Sequence, residues 1–142
     1  LGESKNILQK ARDDLDHRFG IIAESRIYIS KAIEYENQPD FFNQVLELYL
    51  PASTPLATMQ ELLAIEKSYG RNRNIPKGPR TLDIDIIFWG DKQINLPELI
   101  VPHPRWSERS FVVRPLQELP FFQTIEKCFT IPTSFKIDAF PI

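Results

Sequence analysis

Residues 78–88 read Gly78-Pro79-Arg80-Thr81-Leu82-Asp83-Ile84-Asp85-Ile86-Ile87-Phe88. Leu82, Ile84, Ile86 and Phe88 recur at every second position, so the stretch reads as a strand with one apolar face. Asp83 and Asp85 then leave the opposite face together, about 6.6 Å apart along the chain. Two carboxylates held side by side need compensation. Exposed, they pair with arginines; turned to a site, they offer the hard oxygen ligands that suit Mg²⁺, which keeps several waters and is completed by phosphate oxygens.

The residues upstream decide between those alternatives. Lys67, Arg71, Arg73, Lys77 and Arg80 lie within 14 positions that contain no acid, so this stretch carries +5 and the remainder −7 of the net −2. A solvated basic loop would leave this charge unused. Delivered next to a carboxylate pair, guanidinium groups bind phosphate oxygens bidentately and stay charged, which is what transfer of a phosphate group requires. The sequence contains neither the Gly-x-x-x-x-Gly-Lys-[Ser/Thr] phosphate loop nor the kinase catalytic-loop set, so nucleotide chemistry here uses another scaffold.

Working outward, Thr54-Pro55 pairs an N-cap with a first-turn proline. Leu56, Met59, Leu62, Leu63, Glu66 and Tyr69 follow at helical spacing until Gly70. A first helix is expected from Ser4, as N-cap, to Phe19, with Gly20 as its stop. Strands are expected over Ile21–Ser30, with Ile21, Ala23, Ile27 and Ile29 on one side, and over Phe41–Leu50. A loop joins them over Lys31–Asp40. Beyond the turn Trp89-Gly90-Asp91 come a short strand at Gln93–Asn95, a proline-bounded loop through Val101-Pro102-His103-Pro104, a helix opened by Ser107 and a less regular tail. Helix, strand, strand, helix, strand makes an α+β arrangement, not a doubly wound sheet.

The 142 residues, 42% hydrophobic and 25% charged, are expected to form one domain, 1–142, with a core that needs no disulfide. Cys128 is the single cysteine, and zinc-ligand spacing is absent from the sequence, which reads as intracellular. No apolar run reaches membrane-spanning length and no secretory segment opens the chain, so neither membrane nor export is expected. The net charge argues against a general nucleic-acid partner. The start at Leu1 suggests that something upstream is missing.

Three motifs together resemble the 6-hydroxymethyl-7,8-dihydropterin pyrophosphokinase family of folate biosynthesis: the Gly78–Ile86 stretch, Val101-Pro102-His103 with Arg109 and Phe111 following, and Gln38-Pro39-Asp40-Phe41-Phe42-Asn43. Their order and spacing agree across nearly the whole chain. The resemblance implies a ferredoxin-like α+β sandwich, mainly antiparallel, that transfers pyrophosphate from ATP to the pterin hydroxymethyl group and releases AMP. It implies a cytoplasmic monomer acting on small molecules. Asp83 and Asp85 would hold two Mg²⁺ ions, and Arg71 and Arg80 would close on the phosphates. Glu66, Arg73, His103 and Arg109 would contact the nucleotide; Phe41, Asn43 and Phe111 would form the pterin pocket. Without the motifs, Phe41 and Phe111 would read as ordinary core aromatics and His103 as an exposed loop histidine.

The chain departs from the family pattern at several places. Lys77 or a neighbour stands where a tryptophan is expected, in a loop one residue short. Glu98 and Ile100 replace a basic residue and a hydroxyl, and Pro104 an aromatic; Ser30-Lys31-Ala32 stands for Thr-Pro-Pro. The family's first strand is apparently missing, since the chain opens at Leu1-Gly2-Glu3-Ser4, where that strand's following turn should be. A catalytically weakened pterin- or nucleotide-binding module of the same fold is the alternative. A metal-dependent phosphodiesterase acting on nucleic acid would need a wider basic surface.

Overall fold

The computed structural model describes residues 2–30, 41–69, 82–131 and 136–142. The expected loop 31–40 and the basic residues Arg71, Arg73, Lys77 and Arg80 lie outside the described residues.

The first helix, α1, spans Gly2–Phe19. Ser4 therefore lies inside it and is not its N-cap. Gly20 ends the helix as expected: its φ is +80°, and its N–H donates to the Asp16 carbonyl at 2.9 Å. A side chain at Gly20 would also meet the Tyr49 ring at 2.9 Å.

The two long strands fold back on each other as an antiparallel hairpin in two pieces. β1 (Ile21–Glu24) pairs with β4 (Leu46–Leu48), and β2 (Tyr28–Ser30) with β3 (Phe41–Asn43). Between the pairs Glu24↔Leu46 and Tyr28↔Asn43, one strand has three residues and the other two. That extra residue turns over the facing of everything after it. Tyr28 and Ser30 are consequently buried, whereas Ile27 and Ile29, expected on the inner face, are half-buried. Ser25 closes the irregular step: its N–H donates to the Val45 carbonyl, and its hydroxyl accepts from the Val45 N–H, both at 3.0 Å.

The helix α2 (Pro55–Ser68) starts as its sequence dictates, with the Thr54 hydroxyl accepting from the Ala57 N–H at 3.2 Å. Its Leu62 and Ile65 pack with Leu15 of α1, Ile84 and Ile86. The expected strand over residues 81–88 is not in a ladder: among the described residues none pairs with 82–89. Leu82 is buried, Asp83 and Asp85 are exposed, and Ile84 is half-buried between them, which is the alternation of an extended chain.

The Gly90 turn follows, with φ +56°. β5 (Ile94–Asn95) and β6 (Ile100–Val101) form a small ribbon. The helix expected from Ser107 is divided. One 3₁₀ turn covers Trp106–Glu108; Arg109 then adopts an extended conformation (φ −107°, ψ 113°), and α3 runs Ser110–Leu116. The break lets Trp106 enter the same core as Val112, Val113 and Leu116. The tail is more regular than expected: α4 (Phe122–Cys128) buries Ile125 completely, and β7 (Ala139–Pro141) pairs antiparallel with β2. Phe88 sits edge-on to Trp106 in this core, with ring centroids 5.1 Å apart. The described residues thus make an α+β fold with antiparallel sheets.

Candidate functional site

A cavity of about 550 Å³ runs between the hairpin and the 82–90 segment. Asn43, Asp83, Asp85, Arg109 and Phe111 all line it. They come from β3, the extended segment and the start of α3, far apart in the chain. Asp83 and Asp85 present exposed carboxylates while their apolar neighbours Ile84 and Ile86 hold the segment to the α1 and α2 core. Asn43 is half-buried opposite Tyr28 in the β2–β3 ladder. The Arg109 guanidinium lies 5.6 Å from the centre of the Phe111 ring. Asp83, Asp85, Asn43, Arg109 and Phe111 therefore open on a common space, which Arg12, Gln44, Glu47 and many apolar side chains also line. Such a set can take a flat heterocycle and an anion neutralised by a hard cation.

The backbone of the acidic segment is anchored from both sides. The Ile84 N–H, between the two aspartates, donates to the Glu66 carboxylate at 2.6 Å. Glu66 itself is 4% exposed on the inner side of α2. The Ile87 carbonyl accepts from the His103 N–H at 2.9 Å. Residues 84 and 87 differ in parity, so in an extended chain these groups leave opposite edges.

His103 is half-buried, not simply exposed, and its Nδ1 accepts from the Arg105 N–H at 3.2 Å. Burial holds its imidazole below the ordinary histidine range; Asp85 pulls the other way, and Arg109 and Arg105 reinforce the fall. The neutral ring then carries its proton on Nε2.

Phe41 is not brought to the cavity wall. It stands at the far end of β3 and is 53% exposed, so it is no core aromatic either. Glu98 and Ile100 are both exposed, and Pro104 follows His103 at the surface. Two features had no sequence signal. The backbone of His103 grips the acidic segment, and Glu118 collects the Tyr28 hydroxyl and the Arg26 N–H, tying β2 to the end of α3. Neither bond could be found from residue type, because one uses only backbone and the other spans about ninety positions.

The donor set fits magnesium. Among the described residues no third His, Cys, Asp or Glu gathers with another two into a metal-binding cluster. Two exposed carboxylates on one side of an extended segment are the hard oxygen donors that such an ion takes beside water and phosphate. Among the described residues no helix is long and apolar enough to cross a membrane.

Comparison with known proteins shows the family. The family model for 7,8-dihydro-6-hydroxymethylpterin-pyrophosphokinase matches residues 1–120. A folic acid synthesis protein of Pneumocystis carinii is 43% identical over 99 residues, 70% of this chain and 13% of that protein. The 2-amino-4-hydroxy-6-hydroxymethyldihydropteridine pyrophosphokinase of Synechocystis is 46% identical over 82 residues, 58% of this chain and 42% of the relative. The enzyme of the same name from Pseudomonas aeruginosa is 38% identical over 121 residues, 84% of this chain and 74% of the relative. The chain thus spans under half the length of the first two and about three quarters of the third. With a match over residues 1–120, it belongs to the 7,8-dihydro-6-hydroxymethylpterin-pyrophosphokinase family.

Proposed function

We propose that this chain, as one domain over residues 1–142, transfers the β,γ-pyrophosphoryl unit of ATP to the hydroxymethyl oxygen of 6-hydroxymethyl-7,8-dihydropterin in folate biosynthesis. The observation that carries the reading is the meeting of Asn43, Asp83, Asp85, Arg109 and Phe111 around one cavity. In this reading the pterin hydroxyl oxygen bonds to the β-phosphorus, and the bond from that phosphorus to the α,β-bridging oxygen breaks. AMP leaves with that oxygen, and the hydroxyl proton passes to solvent.

Phe111 offers a flat face to the bicyclic ring, and the Asn43 amide reads its edge. Phe41 enters as part of the pterin pocket by family resemblance alone. Arg109 faces the phosphates, with Arg71, Arg73 and Arg80 arriving from the basic loop, and Glu66 and His103 on the nucleotide side. Asp83 and Asp85 would hold two Mg²⁺ ions, which supply charge neutralisation between hydroxyl and phosphates. Every other contribution is orientation and electrostatics by fixed side chains; no protein nucleophile is required. The protein acts as a cytoplasmic monomer on small molecules, without nucleic-acid partners.

The ferredoxin-like sandwich belongs to the same proposal; its support is the α+β arrangement with antiparallel pairing among the described residues.

The test is AMP formation from ATP, measured with and without the pterin and with and without Mg²⁺. Turnover that needs both is expected. AMP released equally without pterin refutes pyrophosphoryl transfer. The exposed Glu98 and Ile100, in place of a basic residue and a hydroxyl, favour a second reading as a weakened binding module. Calorimetric binding of pterin and a non-hydrolysable ATP analogue, without AMP release, would identify it.

A further inference from the structure

We infer that Glu66 is a positioning residue whose buried carboxylate, by accepting the Ile84 N–H, sets the spacing and direction of Asp83 and Asp85 for the metal ions. This rests on the metal assignment proposed above and gives Glu66 a different task from contact with the nucleotide. Asp83 and Asp85 are exposed on either side of Ile84, so the backbone at Ile84 bears on the distance between their side chains. Among the described residues none pairs with 82–89 in a ladder.

Glu66 restrains the residue between them. The bond is 2.6 Å long, and the accepting residue is only 4% exposed. Glu66 is placed by α2, whose Leu62 and Ile65 share a core with Ile84 and Ile86. Helix and acidic segment are therefore one rigid packing unit. The His103 N–H on the Ile87 carbonyl holds the opposite edge three residues on, so Asp85 lies between two fixed backbone points. Partners that orient metal ligands from outside the ligand set change metal affinity by about 10- to 100-fold when removed.

The test compares the whole chain with Glu66→Gln, Glu66→Asp and Glu66→Ala. Mn²⁺ replaces Mg²⁺, free ion being read by electron paramagnetic resonance in the presence of a non-hydrolysable ATP analogue. The Ile84 amide resonance reports the bond directly. Glu66→Gln keeps an acceptor at the same reach and should retain Mn²⁺ affinity within a few-fold. Glu66→Asp keeps the charge but falls one methylene short, and should lose affinity about 10- to 100-fold and move the Ile84 resonance, as should Glu66→Ala.

Loss of analogue affinity with Mn²⁺ affinity intact would overturn the inference in favour of nucleotide contact. Equal losses in Glu66→Gln and Glu66→Ala would overturn it in favour of charge alone. If the wild-type chain binds Mn²⁺ and every variant does so equally, the brace fails and the metal assignment stands; if the wild type binds none, both fall. Should Glu66→Ala not fold, an unmoved Ile84 resonance in Glu66→Asp refutes the brace by itself.

Discussion

Replacing Glu118 with alanine tests the joint that sets α3 against the hairpin. The Glu118 carboxylate accepts from the Tyr28 hydroxyl, from the Arg26 N–H at 2.8 Å and from the Arg26 guanidinium at 3.1 Å. Tyr28 is 2% exposed and lies directly opposite Asn43 in the ladder, while α3 carries Phe111. The joint therefore controls the distance between two walls of the cavity. Removing the acceptor strands the buried Tyr28 hydroxyl, at about 1–3 kcal/mol, while water replaces the partner of the exposed Arg26 N–H and guanidinium. Urea unfolding followed by circular dichroism should show the midpoint falling with its slope unchanged.

The same group gives a pH signature. Burial works to raise its pKa, but the Tyr28 hydroxyl and the Arg26 N–H and guanidinium outweigh it and hold the carboxyl below the ordinary glutamate value. A folded-state pKa below the unfolded one gives stability that is present above the unfolded value and is lost as pH falls through the folded one. The wild type should therefore lose more stability than Glu118→Gln on acidification from about pH 5 to 3. A destabilisation under about 0.5 kcal/mol, with the same acid slope in both proteins, would refute the reasoning.

Asp83→Ala and Asp85→Ala should each abolish AMP formation while the circular dichroism spectrum stays that of the wild type; near-normal turnover in both would remove the metal assignment. Arg80→Ala should lower the rate of the chemical step far more than pterin affinity, measured by single-turnover kinetics against calorimetry, whereas equal losses would contradict a role in transition-state stabilisation. Thr54→Ala should cost about 1 kcal/mol in urea unfolding, because the Ala57 N–H loses its cap. Gly20→Ala should cost at least about 1 kcal/mol in the same assay, since a side chain there must adopt φ +80° and press on Tyr49.

The α2 helix was legible because its signals are local: Thr54 and Pro55 act within one turn, and apolar spacing continues to Tyr69. The acidic pair was legible for the same reason, since alternation at Leu82, Asp83, Ile84 and Asp85 places both carboxylates on one side whether or not a neighbour forms a ladder. The facing of Tyr28 was not legible. One extra residue between Glu24 and Tyr28 inverts the strand, and a bulge is set by what the opposite strand offers, here Val45 to Ser25. The division at Arg109 likewise depends on Trp106 and Val113 reaching one core, a demand that arises only after packing.

Residue types and short spacings thus determined by themselves the capped start of α2, the stop of α1 at Gly20 and the alternation that exposes Asp83 and Asp85 together. Tertiary structure decided which residues meet. It brought Asn43, Asp83, Asp85, Arg109 and Phe111 to one cavity, left Phe41 outside its wall, and put Glu66 on the backbone between the aspartates. The physical reason is range: caps and alternation act over a few bonds, whereas a hydrogen bond from Ile84 to α2 or from Tyr28 to Glu118 exists only once residues 18 or 90 positions apart have been brought together.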